Sequence, residues 1–435
     1  MNLFELTLRF KGFPIGKAKA RLREIQQVAE ADRELFQQKL REDIVRYHQR
    51  ENSFYKAFSK DTNPETWESL PIMTKKKLQQ PLGNRLSHGF NAKNAYINKT
   101  SGSSGHPFIF AKDHFCHAMS WAVFIDRYRW YGLDMNRDLQ ARFYGIPLDK
   151  KGYWKERLKD RLGKRYRFPV FDLSEEKLQE FVGHFKRKPF VYLNGYTSSI
   201  VLFGKFLKER GIVLKTVCPT LKLCIVTSEM LFKEDEKLLE AVLGVPVVNE
   251  YGASEVGMIA FRNSEGEFLI NHDDLFVEVV DEQGKTVPNG ESGRIVITSL
   301  FNRAHPMIRY EIGDMGVLAE ESTSSRPILS KLIGRTNDMA RLPDGKTVPG
   351  LTFFYVTKSV IEDDGNVKEF VVEQHETARF VVLYVSETVI SSEKEQQIKN
   401  AFATYVGDHL RIDFQKVTIM DRSNRGKLKQ FISKL

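Results

Sequence analysis

Eight residues of this chain have the composition of an anion cradle. Thr100-Ser101-Gly102-Ser103-Ser104-Gly105-His106-Pro107 follows the strand-like Ala95-Tyr96-Ile97-Asn98 and precedes the apolar Phe108-Ile109-Phe110. Glycines let a backbone come close to an anion, and consecutive N–H groups with the hydroxyls of Thr100, Ser101, Ser103 and Ser104 can point at phosphate oxygens. The loop Gly-x-x-x-x-Gly-Lys-Ser/Thr is a different object: here Gly102 and Gly105 stand three apart, no Lys follows, and Pro107 interrupts any immediate helix. Alone, a Ser/Gly-rich turn is more often a plain loop.

Four other segments carry chemistry-bearing residues. Asn249-Glu250-Tyr251-Gly252-Ala253-Ser254-Glu255 puts an aromatic ring, a glycine turn and a carboxylate at a strand end, a corner suited to a nucleotide and a metal ion. In Pro306-Met307-Ile308-Arg309-Tyr310-Glu311-Ile312-Gly313-Asp314 an acidic side chain after a glycine could accept hydrogen bonds from both hydroxyls of a ribose. Gly334-Arg335-Thr336-Asn337-Asp338 and Arg422-Ser423-Asn424-Arg425-Gly426-Lys427 complete the set.

These five segments, in this order, resemble the adenylate-forming superfamily of acyl-CoA synthetases, peptide-synthetase adenylation domains and luciferases. With Leu193-Asn194-Gly195-Tyr196-Thr197-Ser198 and Thr227-Ser228-Glu229 added, the chain looks most like the phenylacetate-CoA ligase branch and its relatives associated with capsular polysaccharide. The resemblance covers roughly residues 50 to 435. It implies that ATP activates a carboxylic acid, aromatic acids included, as an acyl-adenylate with release of pyrophosphate, and that CoA then takes the acyl group as a thioester. Thr100, Ser101, Gly102, Ser103, Ser104 and Gly105 would cradle the β and γ phosphates. Asn249, Glu250, Tyr251, Gly252 and Ser254 would form the nucleotide corner, Tyr251 against the adenine with Ser228 and Glu229 nearby. Glu255 would hold Mg²⁺, Asp314 the ribose hydroxyls, and Arg335 would assist at ribose or phosphate. Lys427 would carry the first half-reaction, because an ammonium on a flexible stem can reach between the carboxylate and the α-phosphate. Tyr144, Tyr196 and Ala253 would contact the acid's tail. The hinge of a swinging C-terminal domain would fall at Asn337 or Asp338. The chain departs from the family pattern where Asn337 stands for the usual Asp, His106 for a Lys, and Glu311 and Ile312 for Arg and Thr.

The elements that must hold these residues read as α/β. From Phe190 short apolar strands alternate with helical stretches: Phe190 to Leu193, a helix from Ser198 to Glu209, Leu223 to Val226, a helix from Phe232 to Leu243, then Val245 to Val248. That rhythm predicts parallel βαβ units with right-handed crossovers and ligands at the strand ends. After Glu265 the pattern turns antiparallel (Phe276 to Val280, Arg294 to Thr298), a small β subdomain. The expected division is an N-terminal adenylation domain over 1–333, with a helical lead-in over 1–50, and a small mobile α+β domain over 334–435 that carries Lys427. In the latter, strands are expected at Phe370 to Val372, Phe380 to Leu383 and Lys416 to Ile419, with a helix from Glu393 to Leu410.

Composition narrows the class. With 435 residues, 41% of them hydrophobic, the chain is an ordinary globular protein of two or three domains. Its three cysteines, Cys116, Cys218 and Cys224, have no paired spacing, which favours a reducing compartment, the cytoplasm by default. Nowhere do 18 apolar residues run together. His114 and His117 flank Cys116 at helical spacing, but a structural zinc needs four ligands, and core or surface roles are favoured. The net charge of +10 is concentrated: between Lys150 and Arg167 nine Lys or Arg face only Glu156 and Asp160, a local net of +7. Such a run is usually a solvated face or loop, and otherwise a patch for an acidic substrate, a nucleic acid or an anionic membrane surface. No RNA-binding signature accompanies it, and no nucleic-acid partner is expected. Two further readings stay open: adenylyl or acyl transfer to a hydroxyl, a carrier protein or a sugar amine in place of CoA, and binding of a polyanion or membrane surface through residues 150–167.

Overall fold

A computed structural model describes residues 3–60, 62, 66–100, 108–146, 150–170, 172–335, 339–345, 347–361, 367–406, 409–421 and 428–435. The chain forms two compact units, one of Met1–Ile312 with Gly316–Leu332, the other of Gly313–Met315 with Ile333–Leu435.

The first unit opens with helices Leu3–Phe10, Ile15–Gln26 and Arg33–Glu51, the last two being the amphipathic lead-in expected from the sequence. An antiparallel hairpin of β1 (Tyr96–Lys99) and β2 (Ile109–Lys112) follows. The central sheet then takes β3 (Leu139–Phe143), β4 (Arg165–Phe168), β5 (Phe190–Tyr196), β6 (Leu223–Thr227), β7 (Val247–Ala253), β8 (Gly257–Arg262) and β9 (Phe268–Ile270) in the order β4-β3-β5-β6-β7-β8-β9. Strands β4 to β7 of that order run parallel, and β8 and β9 turn antiparallel. The expected helices are present as Thr197–Glu209 and Lys233–Leu243, joined by Glu175–Arg187.

Alternate strand residues feed two cores, since successive side chains point to opposite faces. Leu193, Cys224, Val226 and Val247 pack with Phe181, Phe203 and Leu239 on one face, and Tyr192, Leu223, Ile225 and Val248 pack with Leu22, Ile25, Met119 and Val123 on the other. Burial on both faces explains why β5, β6 and β7 read as unbroken apolar runs. Helix His114–Arg129, which covers the second face, starts where the Asp113 carboxylate accepts the Cys116 N–H at 2.9 Å. Helix Lys233–Leu243 stops at Gly244, whose φ of 68° is left-handed.

A second sheet runs β10 (Leu275–Val280), β11 (Ser292–Ser299), β12 (Tyr310–Leu318) and β13 (Leu329–Arg335), with β10 and β11 antiparallel as their alternation suggested. The second unit contains the hairpin β14 (Met339–Arg341) with β15 (Thr347–Pro349). Its sheet has the order β18-β17-β16-β19, from β16 (Val367–Glu376), β17 (Arg379–Ser386), β18 (Arg411–Lys416) and β19 (Phe431–Ser433). Helix Gly350–Ile361 sets Phe353 against Phe380, Phe402 and Phe431, with ring centroids 4.2, 5.3 and 5.9 Å away. Helix Ser392–Val406 takes the place expected for a helix from Glu393.

Two expectations are corrected. The strand anticipated at Lys416 to Ile419 lies earlier, at Arg411–Lys416, paired parallel with β17, and Ile419 is 73% exposed. Of the two expectations for the basic run, a solvated face or a loop, only the loop is corrected: Lys150–Leu162 is a helix with Lys151, Lys155, Lys159 and Arg161 exposed, and Arg165–Phe168 is an edge strand of the central sheet.

Candidate functional site

Parallel strands β5, β6 and β7 end side by side, with Tyr196 opposite Thr227 and Thr227 opposite Glu250. Crevices beyond the carboxyl ends of such strands are where α/β sheets bind ligands. Here β6 leaves the sheet through Ser228, an exposed residue at φ 71°. A non-glycine residue in that region stores strain, which is found most often at functional turns. The Glu229 carboxylate, next along, accepts the Ser198 N–H at 2.7 Å and so caps the first turn of helix Thr197–Glu209.

Strand β7 runs into β8 through a tight corner. Gly252 is required there: a Cβ would lie 2.8 Å from the Gly257 carbonyl oxygen. Tyr251 is buried, Ala253 half-buried and Ser254 exposed, while the Glu255 side chain turns inward and is 3% exposed. The Tyr310 hydroxyl on β12 donates to Glu255 Oε1 at 3.0 Å, and the Lys75 ammonium stands 3.8 Å from the same oxygen.

Tyr310 also connects this corner to the glycine-rich loop. Its ring stacks on Phe108 with centroids 6.0 Å apart and planes at 19°. Phe108 is the first described residue after that loop and Thr100 the last before it. Their backbones and side chains close the neck, with Thr100 N–H donating to the Phe108 carbonyl and Phe108 N–H to Thr100 Oγ1, both at 2.9 Å. Three segments far apart in sequence, the loop's feet, the 249–255 corner and the 306–314 stretch, therefore meet within one buried cluster.

Arg309 holds the approach of Lys75. It is 1% exposed at φ 44°, and its guanidinium donates to the carbonyls of Glu68 and Leu70 at 2.9 and 3.0 Å and lies 3.1 Å from a Glu278 carboxylate oxygen. Its own carbonyl accepts the Met73 N–H at 3.0 Å, and Met73 bridges to Tyr310. Lys75 is two residues further on. Sequence reading assigned no role to Lys75, Phe108 or Tyr310. Tyr310 alone carried a signal, its place inside the Pro306 to Asp314 stretch.

A second polar group lies at the ends of β3, β5 and β7. The Tyr144 and Tyr196 rings sit 4.7 Å apart, the Tyr144 hydroxyl donates to Asn194 Oδ1 at 3.1 Å, and the Arg142 guanidinium lies 4.3 Å from the Tyr144 ring centroid. Glu250 accepts the Tyr128 hydroxyl at 2.9 Å; burial pushes its carboxyl pKa up, against the lowering effect of hydrogen bonds from Tyr128 and Thr227. Burial likewise raises the Tyr144 phenol. Gln140 Oε1 and Arg142 Nε are buried without a hydrogen-bond partner among the described residues, the kind of deficit that a bound polar group can repair.

Other assigned residues are placed as follows. Asn249 sits on β7 opposite Val226, and Asp314 is buried on β12. Arg335 ends β13. Ser101, Gly102, Ser103, Ser104, Gly105, Asn337, Asp338 and Lys427 lie outside the described residues. His117 packs its ring on Tyr96 at 3.8 Å and accepts the Trp121 indole N–H at 3.1 Å, and burial pulls its pKa down to about 3. Among the described residues no group of three His, Cys, Asp or Glu side chains could hold a metal ion. Glu255 fits Mg²⁺ in the narrower sense in which that ion takes one protein carboxylate and fills its shell with phosphate oxygens and water.

No family model matches the chain. It is 31% identical over 125 residues to a phenylacetate-coenzyme A ligase of Pseudomonas putida, a stretch that spans 27% of this chain and 28% of that enzyme. Protein CapK of Staphylococcus aureus is 22% identical over 432 residues, 94% of this chain and 89% of CapK. An indoleacetate–lysine synthetase of Pseudomonas savastanoi is 30% identical over 146 residues, 31% of this chain and 32% of that one. Among solved structures, a 2-hydroxyisobutyryl-CoA ligase in its postadenylation state superposes with a TM-score of 0.72 at 16% identity, covering 94% of this chain and 90% of that one. The ordered motifs, the fold and these relatives agree: the chain is similar in sequence to the phenylacetate-coenzyme A ligases and, over most of its length, to Protein CapK, and it has the fold of an acyl-CoA ligase.

Proposed function

We propose that this chain activates a small carboxylic acid with ATP, forming an acyl-adenylate and pyrophosphate, and then passes the acyl group to the thiol of CoA with release of AMP. The observation that carries this reading is the convergence of Thr100, Phe108, Tyr310 and Glu255 at one place, which joins the feet of the glycine-rich loop to the buried carboxylate after the β7 corner.

The first half-reaction brings two anions together, and the pentacoordinate phosphorus gathers more negative charge, so fixed donors and cations supply most of the catalysis. In this reading the backbone N–H groups and hydroxyls from Thr100 to Gly105 bind the departing pyrophosphate. Lys427 bridges the acid's carboxylate and the α-phosphate. Tyr251 meets the adenine, Asp314 the ribose and Arg335 ribose or phosphate. Tyr310 and Lys75 fix the orientation of Glu255, the residue that would hold magnesium. Magnesium, when bound, offsets repulsion among the phosphate oxygens. The acid's tail lies against Tyr144, Tyr196 and Ala253, where the unpartnered Gln140 Oε1 and Arg142 Nε favour a tail with a polar substituent. In this reading the chain pivots between half-reactions at Asn337 or Asp338.

A second reading keeps the adenylation and changes the acceptor to an amine. Likeness to the indoleacetate–lysine synthetase favours it. Mass analysis of products after incubation with ATP, a carboxylate panel and either CoA or amines separates the two: acyl-CoA with AMP supports the first, and an amide formed equally well without CoA supports the second. A chain that consumes no ATP with any carboxylate is neither.

A further inference from the structure

Helix Lys150–Leu162 is amphipathic in the wrong direction for a surface helix. Its inward side carries charge. Arg167 on β4 donates to both Asp160 carboxylate oxygens at 2.8 and 3.1 Å and to Glu156 at 3.0 Å, and Arg157 donates to the Tyr153 hydroxyl at 3.2 Å and the Arg167 carbonyl at 3.1 Å. Its outward side carries the large apolar residues at spacings of four: Trp154 is 71% exposed, Leu158 60% and Leu162 38%. A helix that serves only to cover a sheet turns such a stripe to the core.

The charges around that stripe have one sign. Lys151, Lys155, Lys159 and Arg161 are exposed on the helix, and Lys164 just beyond it. The two carboxylates of the segment, Glu156 and Asp160, are engaged by Arg167, with Lys159 reaching back to Glu156 at 2.5 Å. Helix Leu3–Phe10 lies alongside and adds a second apolar point between cations, Phe10 at 83% exposure flanked by exposed Arg9 and Lys11. No helix among the described residues is long and apolar enough to cross a membrane.

We propose that this face docks on the surface of an anionic phospholipid bilayer. Trp154, Leu158 and Phe10 enter the boundary between headgroups and acyl chains, and the surrounding lysines and arginines meet the lipid phosphates. Charge complementarity selects the occupant. Cations alone would suit any polyanion, but a nucleic acid offers nothing to cover the aliphatic Leu158 and Leu162, whereas a basic helix with a Trp/Leu stripe is what an anionic interface accommodates. One short helix with one neighbouring aromatic gives weak, reversible and salt-sensitive binding, so the protein would divide between membrane and solution.

The test is co-sedimentation of the full chain with vesicles of phosphatidylcholine alone or of phosphatidylcholine with phosphatidylglycerol, at low and high salt. The expected result is binding at least about tenfold tighter to the anionic vesicles, lost at high salt. Lys151→Gln with Lys155→Gln should remove most of the preference for anionic lipid, and Trp154→Ser with Leu158→Ser should weaken binding by about fivefold or more while leaving the melting temperature unchanged. Equal or absent binding of the wild-type chain to the two kinds of vesicle overturns the proposal without recourse to any variant. So does binding unaltered in the Trp154→Ser/Leu158→Ser chain, or tighter binding to a mixed-sequence RNA than to anionic vesicles. A wild-type dimer in solution that this double substitution converts to monomer would assign the stripe to a second copy of the chain and also overturn it.

Discussion

The Tyr310 hydroxyl donates to Glu255 Oε1 across 3.0 Å and 55 residues of sequence, and the same tyrosine ring stacks on Phe108 at the exit of the glycine-rich loop. One side chain thus sets both the carboxylate and the loop's closing residue. A shift of the 306–314 stretch would be felt at both.

Tyr310→Phe keeps the stack and removes the donor. Loss of an orienting hydrogen bond behind a metal-holding carboxylate typically costs ten- to a hundredfold. Carboxylate-dependent pyrophosphate exchange is expected to fall by about tenfold or more, with a larger apparent requirement for magnesium and an unchanged melting temperature. Glu255→Gln should reduce exchange by about a thousandfold.

Thr100→Val leaves the shape of the loop's foot but deletes the Oγ1 that accepts the Phe108 N–H at 2.9 Å. A hydrogen bond of this kind contributes about 1 kcal/mol, and the buried N–H is left unpaired. Steady-state kinetics should show KM for ATP raised by about fivefold, with a smaller change in KM for the acid.

Gly252→Ala tests the corner itself. The new Cβ would sit 2.8 Å from the Gly257 carbonyl oxygen, which is backbone and cannot rotate away. Forcing β7 and β8 apart should cost about 1–3 kcal/mol and lower the melting temperature by several degrees. An unchanged melting temperature would mean that this corner is looser than described.

His48 gives the fold a pH dependence. It is fully buried, its Nε2 donates to the Asn302 carbonyl at 2.8 Å, and burial pulls its pKa down from 6.5 to about 4. Between those two values the unfolded chain binds a proton that the folded chain does not, so the stability present above pH 6.5 drains away as pH falls toward about 4. The loss from this residue is on the order of 3 kcal/mol. Urea unfolding of His48→Gln, which keeps a donor for Asn302, should show a flatter decline over that window than the wild-type chain.

How much of this was legible beforehand follows from burial. Strands β5, β6 and β7 are apolar on both faces, so they stood out as runs. Strand β3, Leu-Gln-Ala-Arg-Phe, and strand β4, Arg-Tyr-Arg-Phe, lie in the same sheet but did not, because Gln140, Arg165 and Arg167 spend their polarity on Asn194, Asp160 and Glu156, and Arg142 lies over the Tyr144 ring, partners that are distant or out of phase in sequence. The ordered motifs pointed to the 249–255 corner and the 306–314 stretch. Nothing local marked Lys75: it reaches Glu255 because Arg309 clamps residues 68–73 through backbone carbonyls, an interaction without a sequence pattern. The true β18 alternates Ile412 and Phe414 with polar residues, a weaker signal than Val417-Thr418-Ile419 beside it, of which Thr418 and Ile419 are exposed.

The most direct measurement is pyrophosphate release from ATP on addition of members of a broad carboxylate panel, without CoA, by the wild-type chain and by Lys427→Ala. At least one carboxylate is expected to trigger release by the wild-type chain, and Lys427→Ala should lower that release by about two or more orders of magnitude while still folding and binding ATP. Release that no carboxylate stimulates, or that survives intact in Lys427→Ala, would contradict adenylation by this chain.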